Sequence, residues 1–394
     1  LPAKSADAKA VQLNADVRLS SNLMDALRGV VRFKYDDYDN QTPVRNFLGR
    51  VPYEASLQRY LELHNKAYAN TNWHTGVDLD YRVTPAVKVG ATYEYRDRER
   101  THREVEKDNE NVFKGRARVR PQDALEITAE YRHGDRQLDH FLIEDYIGLT
   151  QTGNLFDTPD TLEQPTLRRY DVANRVQDRA DAGVTYVFND RFEAGATYTY
   201  LKNDYKDSRM GLTDETGNNL ALDGTFHAHE RLDLSGAYGY GFGETNQASR
   251  QSSTGSPSNN PADDWDANIK DTDVYVAAGL LWSAVPEKFS VSADYEFSRH
   301  IQQFDLSNAT NTAVDVPQTL YRWHDVTVNA SYRWLRNITL IGRYGWEQYD
   351  IVDFATNNVP LVFPSTGAAS AIYLGDSSQS YRAHRLALLA RWTF

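Results

Sequence analysis

Val87-Lys88-Val89-Gly90-Ala91-Thr92-Tyr93-Glu94-Tyr95-Arg96 alternates along its whole length. Successive side chains of an extended chain point to opposite faces. One face of this stretch therefore carries Val87, Val89, Ala91, Tyr93 and Tyr95, and the other carries Lys88, Thr92, Glu94 and Arg96. The same grammar returns in Leu125, Ile127, Ala129 and Tyr131 against Glu126, Thr128, Glu130 and Arg132. It recurs in Phe192–Tyr200, Phe289–Phe297, Val326–Trp334 and Ile338–Trp346. In each, small or aliphatic residues sit mid-strand and aromatic residues toward one end. A strand with lipid on one side and water on the other requires this arrangement, with rings at the membrane rim. A soluble sandwich or propeller would also supply many short strands, but not rings at one end of successive apolar faces. The fold class is all-β: a transmembrane antiparallel up-and-down β-barrel.

Bulk composition points elsewhere until the alternation is seen. The chain has 394 residues with a hydrophobic fraction of 40%, and its mean hydropathy is -0.65. No stretch approaches the roughly 18 consecutive apolar residues of a membrane helix, but a barrel strand needs only about 10 alternating ones. Tyr (25) and Trp (7) are abundant and Met (2) is rare, which suits interfacial girdles better than a helical core. Cysteine is absent, so the chain cannot itself attach c-type haem, which needs Cys-x-x-Cys-His. The net charge of -12 argues against nucleic acid as a partner. The sequence opens on Leu1 with no signal peptide, which reads as a processed or truncated N-terminus.

Connections alternate in length as well. Short turns fall near 21–25, 84–86, 121–123, 189–190, 230–231, 286–287 and 336–337. Longer polar segments lie at 39–66, 101–109, 137–177, 206–217, 246–270, 304–317 and 352–378. Tight periplasmic turns and long outer loops are the outer-membrane pattern. The count is about 15 strands. The first, Val11–Leu19, and the last both run toward the short-turn side, so closing one against the other would make a parallel pair. Single-chain barrels usually have an even number of strands. The expectation is a single barrel domain over 1–394 that is the C-terminal portion of a larger, even-stranded barrel, with upstream strands before Leu1. The last strand places Leu386, Leu388, Ala390, Trp392 and Phe394 on one face and Arg385, Arg391 and Thr393 on the other. Its terminal Trp392 and Phe394 resemble the insertion signal that barrel-assembly machinery reads.

The polar faces are heavily charged and mixed in sign. The candidate lumen residues, which would also contact a partner, are Glu94, Arg96, Lys114, Arg116, Arg118, Arg120, Glu126, Glu130, Arg132 and Arg343. Opposite charges on neighbouring strands stabilise a wet wall modestly. A solvated pore wall and a surface that grips a polar partner are both compatible with such a lining.

Five stretches carry a resemblance to a known family. Tyr35-Asp36-Asp37-Tyr38-Asp39-Asn40-Gln41-Thr42-Pro43 follows a strand; Val51-Pro52-Tyr53 and Asn65-Lys66-Ala67-Tyr68 precede the next one. Arg96–Asn111 then leads into Phe113-Lys114-Gly115-Arg116-Ala117-Arg118-Val119-Arg120-Pro121. The succession, densest over about 25–135, resembles the MtrB/PioB family of decahaem-associated outer-membrane β-barrel proteins. The resemblance implies a barrel in the bacterial outer membrane that sheathes a periplasmic multihaem c-type cytochrome. Electrons would cross along haems held by that partner, with an extracellular cytochrome as a further partner and no cofactor on this chain. Some members carry a cysteine pair near the N-terminus; this sequence does not.

Other signals are weaker. His227-x-His229 lacks a third ligand nearby, and Asp263-Asp264-x-Asp266 lacks the glycine and distal glutamate of a calcium loop. Asp36-Asp37-Tyr38-Asp39-Asn40 reads as a solvated loop base. Gly239-Tyr240-Gly241-Phe242-Gly243 is glycine among rings in a strand, not a phosphate loop. No metal site and no catalytic set is assigned, and the chain is read as a non-enzyme. Three functions remain: the cytochrome scaffold, a porin or specific diffusion channel, and a surface-binding barrel acting through its long loops.

Overall fold

The computed structural model describes residues 5–49, 61–141, 167–250, 252–253, 256–257, 260–308, 313–353 and 380–393. Val51-Pro52-Tyr53, the terminal Phe394 and much of the longest connections lie outside them. Strands β1 (Ala10–Met24) and β2 (Leu27–Asn40) form the first hairpin, followed by a small separate ladder of β3 (Asn46–Gly49) and β4 (Leu61–His64). Next come β5 (Asn70–Thr84) with β6 (Val87–Arg100), β7 (Lys107–Gln122) with β8 (Leu125–Leu138), and the two-residue β9 (Leu167–Arg168). They are followed by β10 (Arg175–Asn189) with β11 (Phe192–Asp204), β12 (Met210–His229) with β13 (Leu232–Arg250), and a second minor ladder of β14 (Ser252–Ser253) and β15 (Ser256–Pro257). The chain continues through β16 (Asp264–Val285) with β17 (Phe289–Asn308) and β18 (Ala313–Leu335) with β19 (Ile338–Val352), and ends on β20 (Tyr381–Trp392).

The main sheet has 16 strands. Its path, β1-β2-β5-β6-β7-β8-β10-β11-β12-β13-β16-β17-β18-β19-β20, joins each strand to its neighbour in sequence, and only β9 pairs off that path, with β12. Every pairing along the path is antiparallel; the β9–β12 contact is parallel. This is the up-and-down meander that the alternation predicts, with the strand number along the path also as expected. The seven tight turns sit where the sequence places them, within a residue or two. Each of these hairpins shifts register in the strand entering the turn, as between Arg82 and Thr84 or His227 and His229. Such bulges tighten the local twist that a hairpin needs.

The strands run further than expected on the long-connection side. Segments 210–217, 246–250, 264–270, 304–308 and 313–317, read as loop, are paired strand. Strand β16 shows why the signal was lost. Its outward positions are polar at Asp264, Asp266, Asn268, Lys270 and Thr272, then apolar at Val274, Val276, Ala278, Leu280 and Trp282. Its other face inverts in step: Trp265, Ala267 and Ile269 give way to Asp271 and Asp273. Ala267 and Ile269 stand opposite Leu306 and Phe304 of β17. Val274 to Trp282 covers about 27 Å of strand, about 20 Å of height at the tilt of barrel strands, which is most of a lipid-facing band about 25 Å tall. Above that band lipid no longer selects apolar side chains, so the polar–apolar phase reverses while the backbone ladder continues.

Candidate lumen surface

Register places all ten candidate residues on the face opposite the apolar one. Nine of them stand together on β6, β7 and β8, where Lys88 faces Arg118, Thr92 faces Lys114, and Arg116 faces Glu130. Arg343 is far along the sheet on β19 and donates to Asn329 Oδ1 at 2.7 Å. The cluster is largely self-neutralised. Glu94, 5% exposed, takes Lys114 and Arg96, each at 2.7 Å. Arg116 reaches Asp80 at 2.8 Å and donates to Thr92 Oγ1 at 2.8 Å. Arg118 and Arg120 converge on Glu126 at 2.6 and 2.5 Å. Sequence reading missed the carboxylates that complete this lattice, Asp78, Asp80 and Glu110, and the guanidinium of Arg175. Only the strand register brings them alongside; face alternation within one strand carries no such information.

The wall is low in relief. A Cβ added to Gly90 would lie 2.5 Å from Arg116 Nε, one on Gly195 2.8 Å from Asp223 Oδ1, and one on Gly241 2.7 Å from Asn219 Oδ1. Polar side chains thus fold flat over inward glycines instead of projecting across the lumen, the close approach for which strand glycines are suited. In Gly239-Tyr240-Gly241-Phe242-Gly243 the glycines line the inward face, and Tyr240 and Phe242 stand outward, about two-fifths exposed to the lipid side.

One segment leaves the wall. Arg136, on the inward face of β8, donates to Ala173 O from Nε (3.1 Å) and Nη2 (2.8 Å) and also to Tyr170 O. Arg103 pairs with Asp171 at 2.6 Å. Val105, Val112, Val172, Ala173, Tyr205 and Met210 are buried beneath, a small core at the long-connection end. Gly211, at φ 106°, makes the bend that lets β12 meet β9; only glycine adopts that backbone readily. The stretch Leu167–Asn174 is thereby latched against the inner face as a shelf. Beneath it Asp108, beyond the lipid band, is pushed above the usual carboxylate range by burial, against the pull of Arg98, Arg100 and Arg136. Arg136→Ala removes the guanidinium bonds to Tyr170 O and Ala173 O that tie the shelf to β8. It should raise the rate of tryptic cleavage at Arg168 and Arg169 about tenfold or more, one charge-assisted bond being worth about 1.5–3 kcal/mol. An unchanged cleavage rate would show that the latch lies elsewhere.

The weaker signals resolve into ordinary contacts. His227 Nδ1 meets Asp233 Oδ1 at 2.6 Å. Asp37 accepts from Thr71 Oγ1 at 2.7 Å, and Asp264 pairs with Arg250. Among the described residues no three His, Asp or Glu converge as a metal would require.

An antiparallel meander with an apolar outer band, aromatic rims and a charged inner face defines a membrane-spanning β-barrel wall of the outer-membrane kind. The family described as "Putative outer membrane beta-barrel porin, MtrB/PioB" matches residues 1–394. The chain belongs to the MtrB/PioB family and is an outer-membrane protein. It is 24% identical over 403 residues to "Outer membrane protein MtrB" of Shewanella baltica (strain OS185), covering 98% of this chain and 52% of that relative. It therefore spans about half the length of the curated relative it matches. Among solved structures, a ferric enterobactin receptor (PfeA) mutant from Pseudomonas aeruginosa aligns with 100% of this chain and 71% of its own, at 8% identity and a TM-score of 0.43. The FrpB iron transporter from Neisseria meningitidis aligns with 87% of this chain and 53% of its own, at 12% identity and a TM-score of 0.42.

Proposed function

We propose that this chain forms the wall of an outer-membrane barrel that sheathes a multihaem c-type cytochrome, so that electrons cross the membrane along haems the partner carries. The observation that carries this reading is the low, polar inner wall: side chains lie flat over inward glycines and most of the cations on β7, β8 and β10 are matched to carboxylates. Such a surface leaves room for a folded polar protein, which bare lipid could not solvate. The MtrB/PioB membership and the absence of any cysteine on the chain agree with a partner that brings its own haem. The chain is given no catalytic role and no cofactor. The assembly machinery that reads Trp392 and Phe394, and an extracellular cytochrome beyond the long connections, complete the proposed set of partners.

A diffusion channel is the second reading, favoured by the latched shelf at Leu167–Asn174, which lies against the inward face and would set solute selectivity. Gentle purification from native membranes separates the two. A haem-bearing protein, seen by its Soret absorbance, should accompany the barrel in near-stoichiometric amount. A colourless barrel that conducts ions in a planar bilayer would overturn the scaffold and establish the channel.

A further inference from the structure

The inner wall is divided by charge into sectors. On β1 to β6, Arg18, Arg28, Lys34, Arg82 and Lys88 face inward and exposed, and none makes an ion pair among the described residues. The carboxylates on that face are fewer, Asp16 (opposite Lys34), Asp36, Asp78, Asp80 (opposite Arg28) and Glu94, so cations are in excess there. Arg82 and Lys88 even stand directly opposite each other in register, an arrangement that is unfavourable unless something anionic lies against it. Strands β7 to β10 are mixed and mostly matched, as described above. From β11 to β17 no Lys or Arg falls on the inward face of the described strands. That face carries Glu193, Glu215, Asp223, Asp233, Asp294 and Glu296, with Asp271 and Asp273 above them. The partners available there are neutral or imidazole groups: His227 for Asp233, and His300 for Asp273 at 2.8 Å and Asp271 at 3.4 Å. Asp223, Asp294 and Glu296 make no ion pair among the described residues. Balance returns on β18 to β20, where Arg385 pairs with Asp325 and lies 3.6 Å from Glu347.

The arrangement is not that of a wall neutral in itself. Surplus cations and surplus anions are held apart by the three matched strands β7, β8 and β10, which put β6 and β11 roughly 20 Å apart across the sheet at about 4.8 Å per strand. The lysines and arginines of β11, β16 and β17 are not missing: Lys202, Lys270 and Arg299 are turned to the outer face.

Resting on the scaffold reading, we propose that the lumen seats a folded protein whose own surface is bipolar. Its acidic flank lies on β1–β6, its basic flank lies on β12–β17, and charge complementarity holds it in one rotational setting. Two separated sectors of opposite sign specify an angle, which one sector alone would not do, and like-charge contact in the wrong setting is penalised.

The test uses the full chain expressed in its native host and extracted mildly at about 0.15 M salt. One variant reverses the anionic sector (Asp223→Lys, Asp294→Lys, Glu296→Lys), and another reverses the cationic sector (Arg28→Glu, Arg82→Glu, Lys88→Glu). Neutral Asp223→Asn, Asp294→Asn, Glu296→Gln serves as comparator, and heat-modifiable gel migration confirms that each barrel is folded. Each reversal should lower the Soret absorbance retained per folded barrel by about tenfold or more, with the neutral variant intermediate. In the wild type, carbodiimide should join Glu296 to lysines on one flank of the haem protein and Lys88 to carboxylates on the opposite flank. Equal retention by folded reversal variants, or crosslinks from Glu296 and Lys88 on the same flank, overturns the bipolar seat while leaving the scaffold standing. A colourless wild-type barrel overturns both.

Discussion

Val328→Arg should lower the unfolding free energy of the barrel by about 2–4 kcal/mol, the measured range for a guanidinium at the bilayer midplane on the lipid face of a barrel. Val328 lies on β18 with Ala293 and Tyr344 as its cross-strand neighbours, and Val326, Ala330, Tyr332 and Trp334 share its face. No carboxylate stands beside it on that face, and the Tyr344 hydroxyl is already engaged with His384 Nδ1. Thr327→Arg, one residue earlier, should cost less than about 1 kcal/mol. Thr327 stands opposite Asp294 and donates to Asp325 Oδ1 at 3.0 Å, so the new guanidinium meets carboxylates and water. Equilibrium urea unfolding in phospholipid vesicles reads both. Equal costs for the two variants would mean that β18 does not separate lipid from water, and the face assignment of the whole sheet would fall with it.

That pair of neighbours also marks what the sequence discloses. Val326, Val328 and Ala330 against Asp325, Thr327 and Asn329 spell out the strand and its two faces, because lipid imposes a period of two on every residue it touches. The tight turns are equally legible, since Thr84-Pro85-Ala86 or Asn189-Asp190 interrupts the alternation. Where lipid stops acting, so does the code. Residues 264–272 remain paired strand, but with Trp265, Ala267 and Ile269 turned inward they read as irregular. The candidate site was legible only as a set of charges on one face. That Glu94 belongs to Lys114, and that Glu110 draws in Arg175 from three strands along the chain, depends on register, which is set by turn geometry and bulges rather than by any single segment. The sign of each sector was present in the residues all along, but only the pairings say which of Lys202, Lys270 and Arg299 look outward.

The register also identifies the charge whose loss should matter most within the wall. Glu110 is 4% exposed and sits among three guanidinium groups: Arg175 at 2.8 Å, Arg96 at 3.5 Å and Arg132 at 3.9 Å. Gly134 makes the space, for a Cβ there would stand 3.2 Å from Glu110 Oε1. Removing one member of a buried pair costs about 3–5 kcal/mol because the remaining charge is left uncompensated. Here the side chains of Arg175 and Arg96 keep 19% and 39% of their exposure, so water relieves part of the penalty. Glu110→Gln, which keeps the shape and removes the charge, should therefore cost about 2 kcal/mol. Arg175→Gln alone should cost less, since Glu110 retains two other cations. The double variant should recover part of the sum, with a coupling of about 1 kcal/mol in urea unfolding. Additive losses would mean that Glu110 and Arg175 do not interact, and that the lattice across β6, β7, β8 and β10 is held by the backbone ladder alone.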